Sequence, residues 1–295
     1  MILVTGATGF LGRRVVKLLA RQGYSVLVLS RRLPDDLASA HRHDVSFLQV
    51  DLMAGSLDWG QSSLAGVEIV VHLAGVMDSG IDATRANVAL GLNILDHAPE
   101  WIRGFVVASS AYVYSPEVDR WIDESTPPRP STDYSHAKLF LEGIFSVEAE
   151  QRGCPAFILR IASLYGPGDP HGKAITKLVG AVRQGRPPLL RGDVHARRDY
   201  LHVDDAARAV VAAVRRVYEG AQGGTYNICS GVGTSIYQIA LALCEMANVP
   251  PLASPAEPAA ETADLVFDPR HAERDLGLKT RIPLDEGLLQ CLEHH

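Results

Sequence analysis

The segment TDYSHAKLFLE places Tyr134 and Lys138 four residues apart, the spacing that puts two side chains on one face of a helix. A phenol titrates near pH 10, about 3 units too high to exchange protons at neutral pH. A neighbouring ammonium favours the phenolate, and about 4 kcal/mol of differential stabilisation closes that gap. The pair points to proton exchange on a substrate oxygen; the plainer alternative is a tyrosine and a lysine that merely share a helix face. Upstream, VVASSAYVYS ends an apolar run with Ser109 and Ser110. A hydroxyl at the C-terminal end of a strand can hydrogen-bond the reacting oxygen while Tyr134 moves the proton. Either serine could equally do no more than end a strand.

A proton catalyst of this kind needs a partner that takes hydride, and the first residues, MILVTGATGFLG, offer a place for one. Gly6, Gly9 and Gly12 follow an apolar strand and open a helical pattern. In that context the first glycine permits the turn, the second lets a pyrophosphate approach, and the third lets helix and strand pack closely. The helix N-terminus supplies unpaired amide protons to the phosphates. The spacing is GxxGxxG, so a tight structural turn is the competing explanation. The second strand ends in LSRRLP, with Ser30, Arg31 and Arg32 where a carboxylate would bind the ribose hydroxyls of NAD. Two guanidinium groups suit a 2′-phosphate, so NADP is favoured over NAD. Solvated surface charge is the alternative for both arginines.

The elements that must position these groups are legible as an alternation. ILVT, SVLVLS, VSFLQV, EIVVHLAG and GFVVASS are short apolar runs, several nearly continuous, as in a parallel sheet covered on both faces. Helical patterns lie between them, at Phe10–Gln22, Thr84–Ala98 and Tyr134–Arg152. The expected class is α/β, a doubly wound parallel Rossmann sheet with a smaller, interleaved C-terminal substrate lobe. Residues 1–165 form mainly the dinucleotide-binding domain, with 200–232 returning to it through the strand TYNICS. Residues 166–199 and 233–291 form mainly the substrate-binding lobe. The final LEHH, 292–295, resembles a tag remnant.

The 295 residues are 47% apolar and 21% charged, enough for a sizeable core. No run is long and apolar enough for a membrane span, and no secretory leader is read at the N-terminus. A net charge of −6 argues against a nucleic-acid partner. Cys154, Cys229, Cys244 and Cys291 show no metal spacing and read as thiols of a reducing compartment, so a cytoplasmic location is expected. His72 has no second ligand at useful spacing, and no metal site is expected. Asp204 and Asp205 read as helix caps rather than magnesium ligands.

In order along the chain, TGATGFLG, Asp51, HLAG at His72–Gly75, ANVALGLNIL around Asn87, SSAYVY, YSHAK, LRIASLYGPG and GDVHARRDYLHVDDAA form a specific set. The chain resembles the extended short-chain dehydrogenase/reductases of the NAD-dependent epimerase/dehydratase group. That resemblance implies cofactor contacts from Gly6, Thr8, Gly9, Phe10, Leu11 and Gly12 at the pyrophosphate, and from Asp51 and Leu52 at the adenine. It implies further contacts from Leu73, Ala74, Gly75, Asn87, Ala108 and Ile161. Tyr134 would be the acid–base catalyst, with Lys138 lowering its pKa and holding the nicotinamide ribose. The family's catalytic hydroxyl lies four residues before the tyrosine of VY, which selects Ser110. Ser163, Arg198 and Tyr200 would face the substrate, Arg198 clamping a diphosphate.

The departures narrow the reaction. Where the group's dehydratases carry an acid pair after the catalytic hydroxyl, this chain has Ala111 and Tyr112, so 4,6-dehydration is rejected. Ser163 replaces the usual asparagine, Pro258 and Ala259 stand where a second arginine is usual, and the segment from Gly75 to Asn87 is short. The expected activity is hydride transfer at a secondary alcohol or ketone of a nucleotide sugar, as a C4 epimerase or a 4-ketoreductase. The alternatives are reduction of a non-sugar ketone or aldehyde, or a catalytically silent dinucleotide sensor. Pairing of Thr84–Ala98 and Tyr134–Arg152 across a two-fold axis, as in relatives, makes a homodimer the expected assembly.

Overall fold

In the first strand, β1 (Ile2–Thr5), side chains alternate between two cores. Ile2 and Val4 enter one apolar cluster and Leu3 the other, so both faces of the strand are covered. The computed structural model describes residues 1–32, 44–115, 121–170, 172, 174–190, 192–250 and 264–294. After β1 come α1 (Phe10–Arg21), β2 (Val26–Ser30), β3 (Val45–Gln49), β4 (Ile69–His72), α2 (Ile81–Leu95), β5 (Gly104–Ser110), α3 (Asp133–Arg152) and β6 (Ala156–Ile161). These strands and β9 (Gly224–Ile228) form a seven-stranded parallel sheet in the order β3-β2-β1-β4-β5-β6-β9. The return of TYNICS to this sheet as β9 agrees with its apolar run.

One face of the sheet is packed by Val15, Val16 and Leu19 of α1 and by Val210, Val214 and Val217 of α5 (Val203–Tyr218). The other takes Ile94 of α2 and Leu141 and Phe145 of α3. Each such side chain contributes roughly 1.5–3 kcal/mol through burial, so the two layers fix where α3 lies along β5. Its start is set locally: Thr132 and Ser135 form a reciprocal capping box, and Gly153 ends the helix in the left-handed conformation.

Between β6 and β9 the chain leaves the large sheet. It makes β7 (Ser163–Tyr165), α4 (Ala174–Arg183) and β8 (Arg197–His202) before α5, and later β10 (Gly233–Ser235) and α6 (Ile236–Met246). The strands β10-β8-β7 form a small sheet, and Leu178, Leu243 and Leu288 build a separate core with α8 (Leu284–Glu293), which follows α7 (Arg270–Leu276). Leu292 packs against this core and Arg183 donates to its carbonyl, so the LEHH segment begins as the last turn of α8. The cap of α5 differs from expectation: the His202 ring, not Asp204 or Asp205, accepts from the Asp204 amide. Asp204 instead pairs with Arg14, and Asp205 receives the amides of Arg281 and Ile282. Among the described residues no helix is long and apolar enough to cross a membrane.

Candidate active site

The strand order reverses between β1 and β4, and a crevice opens there beyond the carboxyl ends of the strands. Gly6 leaves β1 at φ 66°, and a Cβ on it would lie 2.6 Å from the Ala74 nitrogen. A Cβ on Gly12 would meet the Gly6 carbonyl oxygen at 2.1 Å, so only glycine lets α1 pack this close to the turn. Gly9 is the N-cap of α1, makes no side-chain cap, and is followed by no acid in the first turn. The amides of that turn therefore stay available to an anion.

Below the turn, His72 is fully buried. Its Nδ1 lies 3.0 Å from the Thr5 hydroxyl, which also accepts from the Ala74 amide at 3.2 Å. Burial, reinforced by the Lys138 charge, pushes this imidazole down to about 3, so it is neutral and structural. Among the described residues no group of three or more His, Cys, Asp or Glu side chains could hold a metal ion.

A cavity of about 550 Å³ runs from the glycine turn across the ends of β4, β5 and β6. Gly6, Gly9, Phe10, Leu11 and Gly12 line one end, with Leu73, Gly75, Ala108 and Ile161 beside them. Ser110, Tyr134, Lys138, Ser163 and Tyr200 line the rest. This is space shaped for an extended ligand, with helix amides at one end and hydroxyls at the other, and the residues present fit a dinucleotide.

The remaining expected contacts lie off its walls. Thr8 gives its carbonyl to Arg13, and Ala74 is the backbone against which Gly6 is pressed. Asn87 is committed to the loop after β4: its Oδ1 accepts from the Val76 amide at 2.8 Å and its Nδ2 donates to the Val76 and Ala83 carbonyls. Asp51 makes a turn with the Met53 amide, and Leu52 is buried in the second core. Ser30 ends β2, and Arg31 and Arg32 follow it, both exposed. Because the strands are parallel, β2 and β3 end at the same edge of the sheet as the glycine turn. Pro258 and Ala259 lie outside the described residues.

Tyr134 and Lys138 project from one face of α3 into the cavity, with the Lys138 Nζ 5.8 Å from the Tyr134 ring centre. Lys138 donates to the Ala108 carbonyl at 2.9 Å. The residue is 4% exposed, and burial pulls the amine down to about 8, opposed by the Glu142 charge. Tyr134 lies in the first turn of α3, where the helix dipole favours a negative oxygen. Burial nonetheless pushes the phenol up to about 12, with a hydrogen bond to Ser110 pulling the other way. Lys138 is not among the groups that shift the phenol in the free protein, so the lowering expected from the lysine is not seen there.

Several wall residues lie outside the expected contact set. Tyr112, where dehydratases have an acid, closes one side of the cavity, its hydroxyl 2.9 Å from the Ser163 hydroxyl. Both also line a small recess behind them that contains Arg198, whose Nη1 donates to the Arg197 carbonyl at 2.8 Å. The structure therefore sets Arg198 next to the main cavity and not on its wall. Met77, Tyr165, Asp169 and Ile175 complete the cavity, Tyr165 from β7 and Ile175 from the buried face of α4.

A profile described as the NAD dependent epimerase/dehydratase family matches residues 2–229. The dTDP-D-glucose 4,6-dehydratase of Mus musculus is 24% identical over 99% of this chain and 87% of its own length. Among solved structures, the UDP-glucose 4-epimerase of Thermotoga maritima with UDP-glucose superposes with a TM-score of 0.84 at 27% identity, covering 99% of this chain and 97% of that one. MoeE5, in complex with UDP-glucose and NAD, superposes with a TM-score of 0.83 at 27% identity, with coverage of 99% and 97%.

Proposed function

The chain belongs to the NAD-dependent epimerase/dehydratase family, and on that premise we propose that it transfers hydride at a secondary alcohol or ketone of a nucleotide-activated sugar. C4 epimerisation or 4-keto reduction is the form this takes. The observation that carries the reading is the meeting of Ser110, Tyr134 and Lys138 in one cavity with the glycine turn. When bound, the nicotinamide supplies the hydride acceptor or donor. The chain's own groups handle the oxygen. Tyr134 exchanges its proton, Ser110 donates a hydrogen bond to it, and Lys138 keeps positive charge near the phenol. Dehydration at C4 and C6 is not part of the proposal. Ala111 and Tyr112 follow Ser110, and the carboxylate that does line the cavity, Asp169, is held by Thr176 of α4.

UDP-glucose, which the Thermotoga maritima and MoeE5 structures bind, is the first substrate to try. Incubated with the protein and NAD or NADP, it should give its C4 epimer by NMR; with a 4-keto nucleotide sugar, NADPH should be consumed. Failure of both reactions with cofactor bound would overturn the reading. One observation favours a non-sugar ketone instead: Lys138 is the one cation among the described residues lining the cavity, and Met77, Tyr165 and Ile175 make its far end apolar. Consumption of NADPH with such ketones and not with nucleotide sugars would select that alternative.

We extend the proposal to the cofactor and the assembly. Ser30, Arg31 and Arg32 favour NADP, because a 2′-phosphate meets two guanidinium groups and no acid at the end of β2. Arg31→Ala combined with Arg32→Ala should weaken NADP by about tenfold or more and leave NAD binding unchanged, read by titration calorimetry. An equal effect on both cofactors would remove the argument. Phe140 and Val147, two turns apart on α3, are 48% and 52% exposed, and Leu92 of α2 is 40% exposed. That apolar face supports a homodimer through α2 and α3. Light scattering should give twice the chain mass, falling to one chain in Phe140→Glu.

A further inference from the structure

Beneath the candidate site lies a buried ion pair that no step above uses. Glu142 of α3 and Arg160 of β6 have side chains only 7% and 8% exposed, and they are joined by a forked contact: Nη2 to Oε2 at 2.7 Å and Nε to Oε1 at 3.0 Å. The Ser109 hydroxyl donates to Glu142 Oε1. Ser109 and Arg160 are register partners on β5 and β6, so two neighbouring strands grip one carboxylate on the helix above them. Arg160 also donates to the Tyr114 hydroxyl at 2.7 Å, and Tyr114 donates to Asn227 on β9 at 3.0 Å. The network spans three strands and ends at Glu142.

Glu142 is four residues beyond Lys138, which is four beyond Tyr134, so the three share one stripe of α3. The groups facing the lysine amine come from every neighbouring element. They are the neutral His72 of β4, the Ala108 carbonyl of β5, Asn87 of α2 behind Gly75, and Tyr134 and Glu142 on its own helix. Glu142 is the one anion in that set and acts on the amine through its charge; both its oxygens are tied, Oε1 to Ser109 and Arg160 and Oε2 to Arg160, so it cannot swing away.

We propose that Glu142 is a positioning residue for the reaction: its carboxylate, locked by Arg160 and Ser109, keeps the buried Lys138 amine protonated beneath the phenol of Tyr134. A buried amine otherwise sheds its proton, because burial disfavours the charged form. The lysine already sits near 8 in the free protein with Glu142 present. Without that anion the amine would give up its proton at lower pH, and the phenol would lose its cation over more of the working range. The same carboxylate that anchors the helix to the sheet thus sets the charge of the site. The inference rests on the function proposed above for Tyr134 and Lys138, yet its first readout needs no substrate.

The test is NMR titration of protein carrying lysine labelled with 13C at Cε. The chain has five lysines, and Lys138→Arg identifies the signal that matters. In Glu142→Gln the Lys138 midpoint should fall by about one pH unit or more, while the other four lysines stay in place. Loss of the charge also leaves Arg160 unpaired, so the double variant Glu142→Gln with Arg160→Met, which buries no lone charge, provides the folded comparison. Its Lys138 midpoint should also fall. The alkaline limb of turnover on UDP-glucose should move to lower pH by the same shift. An unchanged Lys138 midpoint in the double variant would show that Glu142 only holds the fold. A lowered midpoint in a protein without turnover on any carbonyl substrate would leave the hold of Glu142 on the Lys138 proton standing and sink the proposed function.

Discussion

Tyr134→Phe should lower turnover by about a thousandfold while changing dinucleotide affinity by less than about threefold. The phenyl ring keeps its contacts with the cavity wall and loses only the hydroxyl that meets Ser110. No other described group beside Ser110 can replace it: Tyr112 is occupied by Ser163, and Lys138 donates to the Ala108 carbonyl. In the free protein burial holds the phenol near 12, far from the range in which it exchanges protons. Proton exchange near neutral pH therefore requires bound cofactor to add its positive ring to the charge of Lys138 and the N-terminus of α3. A variant that retained a tenth of the wild-type rate would remove Tyr134 from the chemistry.

Lys138→Met is the second large effect, and it has two opposite signs. Turnover should fall by about a hundredfold or more, because the phenol loses its cation. Stability should rise. Burial lowers Lys138 from 10.5 to about 8, so between those values the unfolded chain holds a proton the folded chain lacks. Stability accordingly climbs with pH across that window, and at pH 7 the wild type carries the whole penalty, of order 3 kcal/mol at most. Replacing the ammonium by a thioether of similar length removes it, less the hydrogen bond to Ala108. Thermal unfolding at pH 7 should show a higher Tm for Lys138→Met, with the difference shrinking as pH rises above 8. A lower Tm at pH 7 would mean that the buried ammonium is better compensated than Glu142 alone makes it.

The parts of the site carried by local pattern were legible in the sequence. The β1 run and the three glycines determine the turn, since strand, bend and helix follow one another without a gap. Tyr134 and Lys138 are visible because helical spacing aligns them, and α3 begins within one residue of its expected start. What stayed hidden depends on tertiary partners. Glu142 is four residues from Lys138, a spacing open to inspection, but its meaning comes from Arg160 on a strand eighteen residues later in the chain. Arg198 matches the family pattern, yet the Tyr112–Ser163 contact sets it behind the cavity wall. Asp204 and Asp205 look like caps by residue type, and His202 takes the position because its ring accepts at the right place. The rise of the Tyr134 phenol in the free protein was not legible either, because it comes from burial, which only the packed structure supplies.

The most direct measurement is a near-ultraviolet titration of tyrosinate in the protein with and without oxidised cofactor, with Tyr134→Phe subtracted. The account predicts that the Tyr134 signal, titrating above pH 10 in the free protein, moves to near-neutral pH when NAD or NADP binds. If cofactor binds and the subtracted signal stays above pH 10, the phenol is not the proton catalyst.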